Sequence, residues 1–64
     1  MSLKMSKEEV KALRLRLGKT QEEFALMIGV SSGAVSRYER HDVKKQKNAL
    51  LKMKELSEGL KDER

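Results

Sequence analysis

Sixty-four residues are enough for one domain, and a chain this short buries only about 60% of its unfolded surface, so its stability is marginal. It has no cysteine and one histidine, which excludes a disulfide or thiolate metal site and leaves neither a metal nor another cofactor expected. The formal charge of +5, with no apolar run near the roughly 18 residues a membrane span needs and an N-terminus too polar for a signal peptide, favours a cytoplasmic protein with a polyanionic partner and no membrane.

Residues 1–5 are expected to be a disordered arm or expression scar, with Met5 as a second possible start. Ser6-Lys7-Glu8-Glu9 is a capping-box pattern, so a first helix begins near Lys7. Val10, Leu13 and Leu17 follow at spacings of three and four and give it one apolar face, and Gly18 ends it. Thr20-Gln21-Glu22-Glu23 is a second capping box, opening a helix from about Gln21 to Ile28. Gly29 makes a tight turn, and a third helix runs from about Ser32 to Arg40, capped by Ser31 or Ser32. His41 to Lys47 reads as a polar, basic connection. A fourth helix covers about Asn48 to Leu60, with Ala49, Met53, Leu56 and Leu60 in one narrow stripe suited to another helix. The domain is expected to span 6–60, with 61–64 a frayed tail. Abundant leucine, lysine and glutamate with no proline point to an all-α fold.

The excess charge is concentrated. Between Arg37 and Lys54 stand seven bases (Arg37, Arg40, Lys44, Lys45, Lys47, Lys52, Lys54) and two acids (Glu39, Asp42), while the remainder is balanced. The positive segment therefore begins in the third helix and continues just past it. Such a cluster can be a solvated face that keeps a protein soluble. Beside the helix pair of residues 20–40 it reads better as a phosphate-binding surface. Phe24, Ala25, Ile28, Val30, Val35 and Tyr38 let two helices at a steep angle share one small core. That leaves Ser31, Ser32, Gly33, Ser36 and Arg37 on the outer face of the second, free of core duty. A helix held out from a basic domain fits a DNA major groove.

The text that carries these features resembles the Cro/C1-type, or XRE, helix-turn-helix family. It runs Leu13-Arg14, Gly18, Thr20-Gln21-Glu22-Glu23-Phe24-Ala25, Ile28-Gly29-Val30-Ser31 and Val35-Ser36-Arg37-Tyr38-Glu39. About ten positions fit one spacing without a gap, over half of the chain. The resemblance implies a lambda-repressor-like all-α domain, here of four helices or a truncated set of five, that binds operator DNA as a dimer to regulate transcription. Carried over by position, the family's base-reading positions fall on Ser31, Ser32, Gly33, Ser36 and Arg37. Gln21 falls on a glutamine that bonds a backbone phosphate. Arg14 and Glu39 fall on a pair that forms an internal salt bridge. The chain departs from the family at His41, where glycine is usual, in lacking the proline that follows, and in having no long hydrogen-bonding side chain at Ser32 or Gly33.

Arg37 is the one strong base reader available, since its fork can bond guanine O6 and N7 together. Gly33 either lets the backbone approach DNA closely or merely weakens the helix. Gln21 and the amides of the same helix start can hold a phosphate, or Gln21 can cap locally. Arg40, Lys44, Lys45 and Lys47 are candidates for further phosphates, more convincing as a cluster than singly. Arg14 with Glu39 is either a structural pair or two exposed charges. Tyr38 reads as core rather than a base-stacking platform, and His41 as an ordinary loop residue. Leu26 and Met27 add apolar surface beyond the core face of their helix. Nothing resembles a nucleophile–base pair or a phosphate-cradling glycine loop, so an enzyme is not expected.

The leading expectation is a sequence-specific regulator on double-stranded DNA, a repressor or an antitoxin-type autoregulator. It is expected to be a homodimer with Met53, Leu56 and Leu60 at the contact, because two half-sites double a sparse readout. The rival places Leu56 and Leu60 back on the first helix of the same monomer. Two alternatives remain: a protein-interaction module on the same fold, holding a toxin or another domain, and the DNA-binding fragment of a longer protein.

Overall fold

The computed structural model describes residues 4–61, in which four helices follow in chain order: α1 Lys7–Leu17, α2 Gln21–Ile28, α3 Ser32–Tyr38 and α4 Lys47–Lys61. Three of the helix starts are set by side chains a few residues away. Ser6 Oγ accepts from the Glu9 N–H at 3.2 Å while Glu9 Oε1 accepts from the Ser6 N–H at 2.8 Å. Thr20 and Glu23 repeat the exchange at 3.1 and 3.0 Å. Ser31, rather than Ser32, caps α3, its Oγ accepting from the Ala34 N–H at 3.2 Å. Each satisfies N–H groups that a helix start leaves without an intrahelical partner. Gly18 and Gly29 end α1 and α2 at φ 70° and 74°, left-handed conformations in which a Cβ is strained.

The ends of α3 and α4 differ slightly from expectation. α3 stops at Tyr38, two residues short of Arg40. The Arg40 and His41 N–H groups both turn back to the Arg37 carbonyl, at 3.0 and 2.9 Å. With histidine at position 41 the chain leaves α3 through this tight turn, and no described non-glycine residue takes a positive φ. α4 gains one residue at each end.

The core is one cluster fed by every helix. It comprises Val10, Leu13, Phe24, Ala25, Ile28, Val35, Tyr38, Val43, Ala49, Leu50 and Met53, with Leu17, Val30, Leu56 and Leu60 packed half-buried against it. α2 packs on α3, and both α1 and α2 pack on α4. One expectation changes here. Met53 is 0% exposed within a single chain, so it is a core residue and no dimer contact. On the Ala49–Met53 stripe, Leu50 supplies the neighbouring inward position and Leu51 faces out at 44% exposure.

Met5 belongs to the fold rather than to a disordered arm. Its N–H donates to the Val43 carbonyl at 3.1 Å and its carbonyl accepts from the Val43 N–H at 2.8 Å. This antiparallel bridge secures the 41–47 loop to the start of α1. Residues 1–3 of the expected arm and residues 62–64 of the expected tail lie outside the described residues.

Candidate nucleic-acid interface

The turn at Gly29 sets α3 across α2. Val35 is 0% and Tyr38 7% exposed, so α3 is anchored by these two residues and turns its other side outward. Ser31, Ser32, Gly33 and Arg37 are exposed on that side, while Ser36 is half-buried. Ser31, Gly33, Ala34, Arg37 and Tyr38 line an open cleft of about 400 Å³ together with Gln46 from the following loop. The Ser31 oxygen already accepts from the Ala34 N–H, which leaves its hydroxyl proton free to donate. Arg37 keeps five donors in a planar fork on an exposed helix face. The burial of Tyr38 withdraws its ring from base stacking.

Gln46 escaped the reading of the sequence. It sits in a polar run whose members differ little, and only the path of the loop brings it beside Arg37. Val43 escaped too, although it is the one apolar residue between Tyr38 and Ala49. An isolated valine in such a run is the signal that could have marked an anchor.

Arg40, Lys44, Lys45 and Lys47 are all exposed, so the positive segment follows Arg37 along the chain from the end of α3 to the start of α4. Lys44 also borders a second concavity of about 320 Å³, with Lys4, Met5, Ser6, Glu9 and Asp42.

Behind the outer face lies a polar brace. Arg14 donates to both Glu39 carboxylate oxygens, from Nε at 2.6 Å and from its terminal nitrogen at 3.3 Å, and donates to the Lys19 carbonyl at 2.9 Å. Gln21 Nε2 adds a longer bond to Glu39 at 3.3 Å. Gln21 therefore has an internal partner for its amide nitrogen, and only its carbonyl oxygen and remaining N–H face elsewhere. The capping box occupies the N–H groups of Thr20 and Glu23, so the amides of Gln21 and Glu22 are those left at the helix start. Glu22 and Glu23 in that first turn oppose an incoming phosphate. Gln21 is thus less suited to an anion than the exposed lysines. Backbone bonding from Thr20 holds the Glu23 carboxyl below the ordinary glutamate value, helped by the charge of Lys19.

Among the described residues no group of histidine, cysteine, aspartate or glutamate could hold a metal ion. No described helix is long and apolar enough to cross a membrane.

A short helix pair with a glycine turn, an outward α3 carrying an arginine, and a basic flank define a small all-helical nucleic-acid-binding domain. The family model described as helix-turn-helix matches residues 10–60, and the chain belongs to this family, in its Cro/C1 type. The fold is accordingly the lambda-repressor-like all-α one, and the domain is of the kind that binds double-stranded DNA in regulators. No curated protein and no solved structure matches the chain.

Proposed function

We propose that this protein is a sequence-specific transcription regulator, a repressor or an antitoxin-type autoregulator acting in the cytoplasm, with α3 in the DNA major groove. The observation that carries this reading is the cleft that unites Arg37, Ser31 and Gly33 on the outer side of α3, at the start of the 37–54 segment that holds the excess positive charge of the chain. Arg37 reads a guanine. Ser31 and Ser32 add weak contacts to base edges or phosphates, and half-buried Ser36 adds least. Gly33 lets the backbone come close. Arg40, Lys44, Lys45 and Lys47 contact phosphates, with Gln21 as a minor contributor. With one strong reader, sequence-dependent DNA shape carries part of the specificity.

A homodimer completes the reading by engaging two half-sites about one helical turn apart. Its contact is assigned to the C-terminal part of α4, where Leu56 and Leu60 pack against the core but stay half-buried within one chain. Sedimentation of the free protein and of its DNA complex tests this. Leu56→Asp should shift both toward one chain per half-site, and a wild-type chain that stays monomeric on a full site would reject the dimer.

The DNA reading is tested by selection from random duplexes at two salt concentrations. Neutralising some four to six phosphates gives a slope of log K against log salt of about −0.9 per contact. A flat response would favour the second reading, a protein-interaction module for a toxin or another domain. Leu26, 83% exposed on α2, and Met27, 37% exposed, are the observations on its side.

A further inference from the structure

We propose that Asp42 and Met5 are positioning residues for DNA binding: they clasp the α3–α4 loop to the start of α1 and so aim Lys44 and Lys45 at the phosphate backbone. The proposal rests on the DNA-binding reading above and adds to it two residues that touch no DNA.

The clasp has three hydrogen bonds. Two are the reciprocal backbone bonds of Met5 and Val43, at 3.1 and 2.8 Å. The third runs from the Lys7 N–H to Asp42 Oδ1 at 3.0 Å. Lys7 is the first residue of α1, and the Ser6–Glu9 exchange does not use its N–H. Asp42 therefore caps from 35 residues away an amide that the local box leaves open, and as an anion at a helix N-terminus it is favourably placed. Below the bridge, the Val43 side chain is 1% exposed and Met5 packs half-buried against the same core.

Without the clasp this loop has little to hold it. It contains neither glycine nor proline, and Val43 is its one apolar residue. Upstream it is tied to α3 through the His41 N–H on the Arg37 carbonyl. Downstream, Gln46 sits beside Arg37 in the recognition cleft. Lys44 and Lys45 leave the bridge directly after Val43, so the direction of the chain through the bridge sets the direction of both. Ordering these lysines before DNA arrives removes a conformational cost from the binding step.

Asp42 offers a test in which two effects have opposite signs. It is one of two acids within the basic segment, and it lines the same concavity as Lys44. Electrostatics alone makes its removal strengthen binding to a polyanion. The clasp makes its removal weaken binding. We expect Asp42→Ala to bind both cognate and random duplex several-fold more weakly than wild type, because phosphate contacts carry no sequence information. The salt slope should fall by about 1–2, one for each lysine released. Asp42→Asn, which keeps the acceptor oxygen and drops the charge, should bind at least as well as wild type. Met5→Pro removes the Met5 N–H donor without altering charge and should repeat the loss. Lys45→Ala should cost less in the Asp42→Ala background than alone, since the lysine there is already misdirected. Helix content by circular dichroism, taken at the binding temperature, confirms that each variant is folded. Asp42→Ala binding as tightly as wild type with an unchanged slope would overturn the proposal, and Met5→Pro decides the matter if Asp42→Ala does not fold. A wild-type protein that binds no duplex at any salt concentration would instead remove the DNA-binding reading, and the clasp's role with it.

Discussion

Arg14 and Glu39, on α1 and at the end of α3, form an ion pair with Nε and Oε2 2.6 Å apart and side chains 14% and 7% exposed. It ties the C-terminal end of α3 to α1, and Gln21 joins it from α2. Three helices thus meet at one carboxylate. In such a setting, loss of a single partner costs more than loss of both, because the remaining charge is left desolvated.

Arg14→Ala should therefore lower unfolding stability by about 2–3 kcal/mol, less than the roughly 3–5 kcal/mol of a fully buried pair because both groups keep some solvent. The double variant Arg14→Met, Glu39→Leu should recover most of that loss. Urea denaturation of the three proteins measures it. A double variant worse than Arg14→Ala would show that the pair itself, rather than the stranded charge, carries the stability.

Gly33 should separate stability from binding. A Cβ there meets only Ser31 Oγ, at 3.9 Å, and the residue is helical. Gly33→Ala should then stabilise the fold by about 0.5–1 kcal/mol. If the backbone approaches DNA at this point, the same substitution weakens binding. A variant that is both more stable and tighter on DNA would assign Gly33 no part in the interface.

Arg37→Ala should cost roughly 1–3 kcal/mol on the selected site and little on random duplex, because a base contact discriminates. Lys45→Ala should weaken both alike and lower the salt slope by about 1. Binding titrations on the two duplexes separate these cases, and equal losses for Arg37→Ala would mark it as a phosphate contact.

Met53→Ala should destabilise by about 2–5 kcal/mol through an unfilled cavity, since the side chain is 0% exposed. The loss should not depend on protein concentration. A residue at a dimer contact would give a cost that changes with concentration by mass action, so melting at two concentrations distinguishes core from contact.

Glu23 gives a pH signature. Bonding to the Thr20 N–H lowers its folded-state value below 4.5. The stability it contributes is present above the unfolded value and fades as the pH falls through the folded one. Glu23→Gln, which can still accept the Thr20 N–H, should show a smaller fall in melting temperature between pH 5 and about pH 3. An identical fall in both proteins would remove Glu23 from the acid response.

The local devices of this fold are legible in the sequence because each acts over a few residues. Ser6 with Glu9, Thr20 with Glu23, and Gly18 and Gly29 carry their own geometry and mark the starts and stops of α1 and α2. The turn of α3 is legible in the same way, since Val35 and Tyr38 fall on one side of a helix and Arg37 on another. Periodicity says only that a residue lies on an apolar face, not what covers that face. Met53 and Leu56 share one stripe on α4, yet only packing against α1 and α2 closes over Met53 and leaves Leu56 half-covered. Contacts between distant parts of the chain had little local signal, beyond the isolated Val43. The bridge of Met5 to Val43, the cap of Lys7 by Asp42 and the place of Gln46 beside Arg37 follow from where the loop crosses the ends of α1 and α3. That crossing depends on how the helices pack, so tertiary structure alone decided which polar residues of the 41–47 run hold the loop and which face outward.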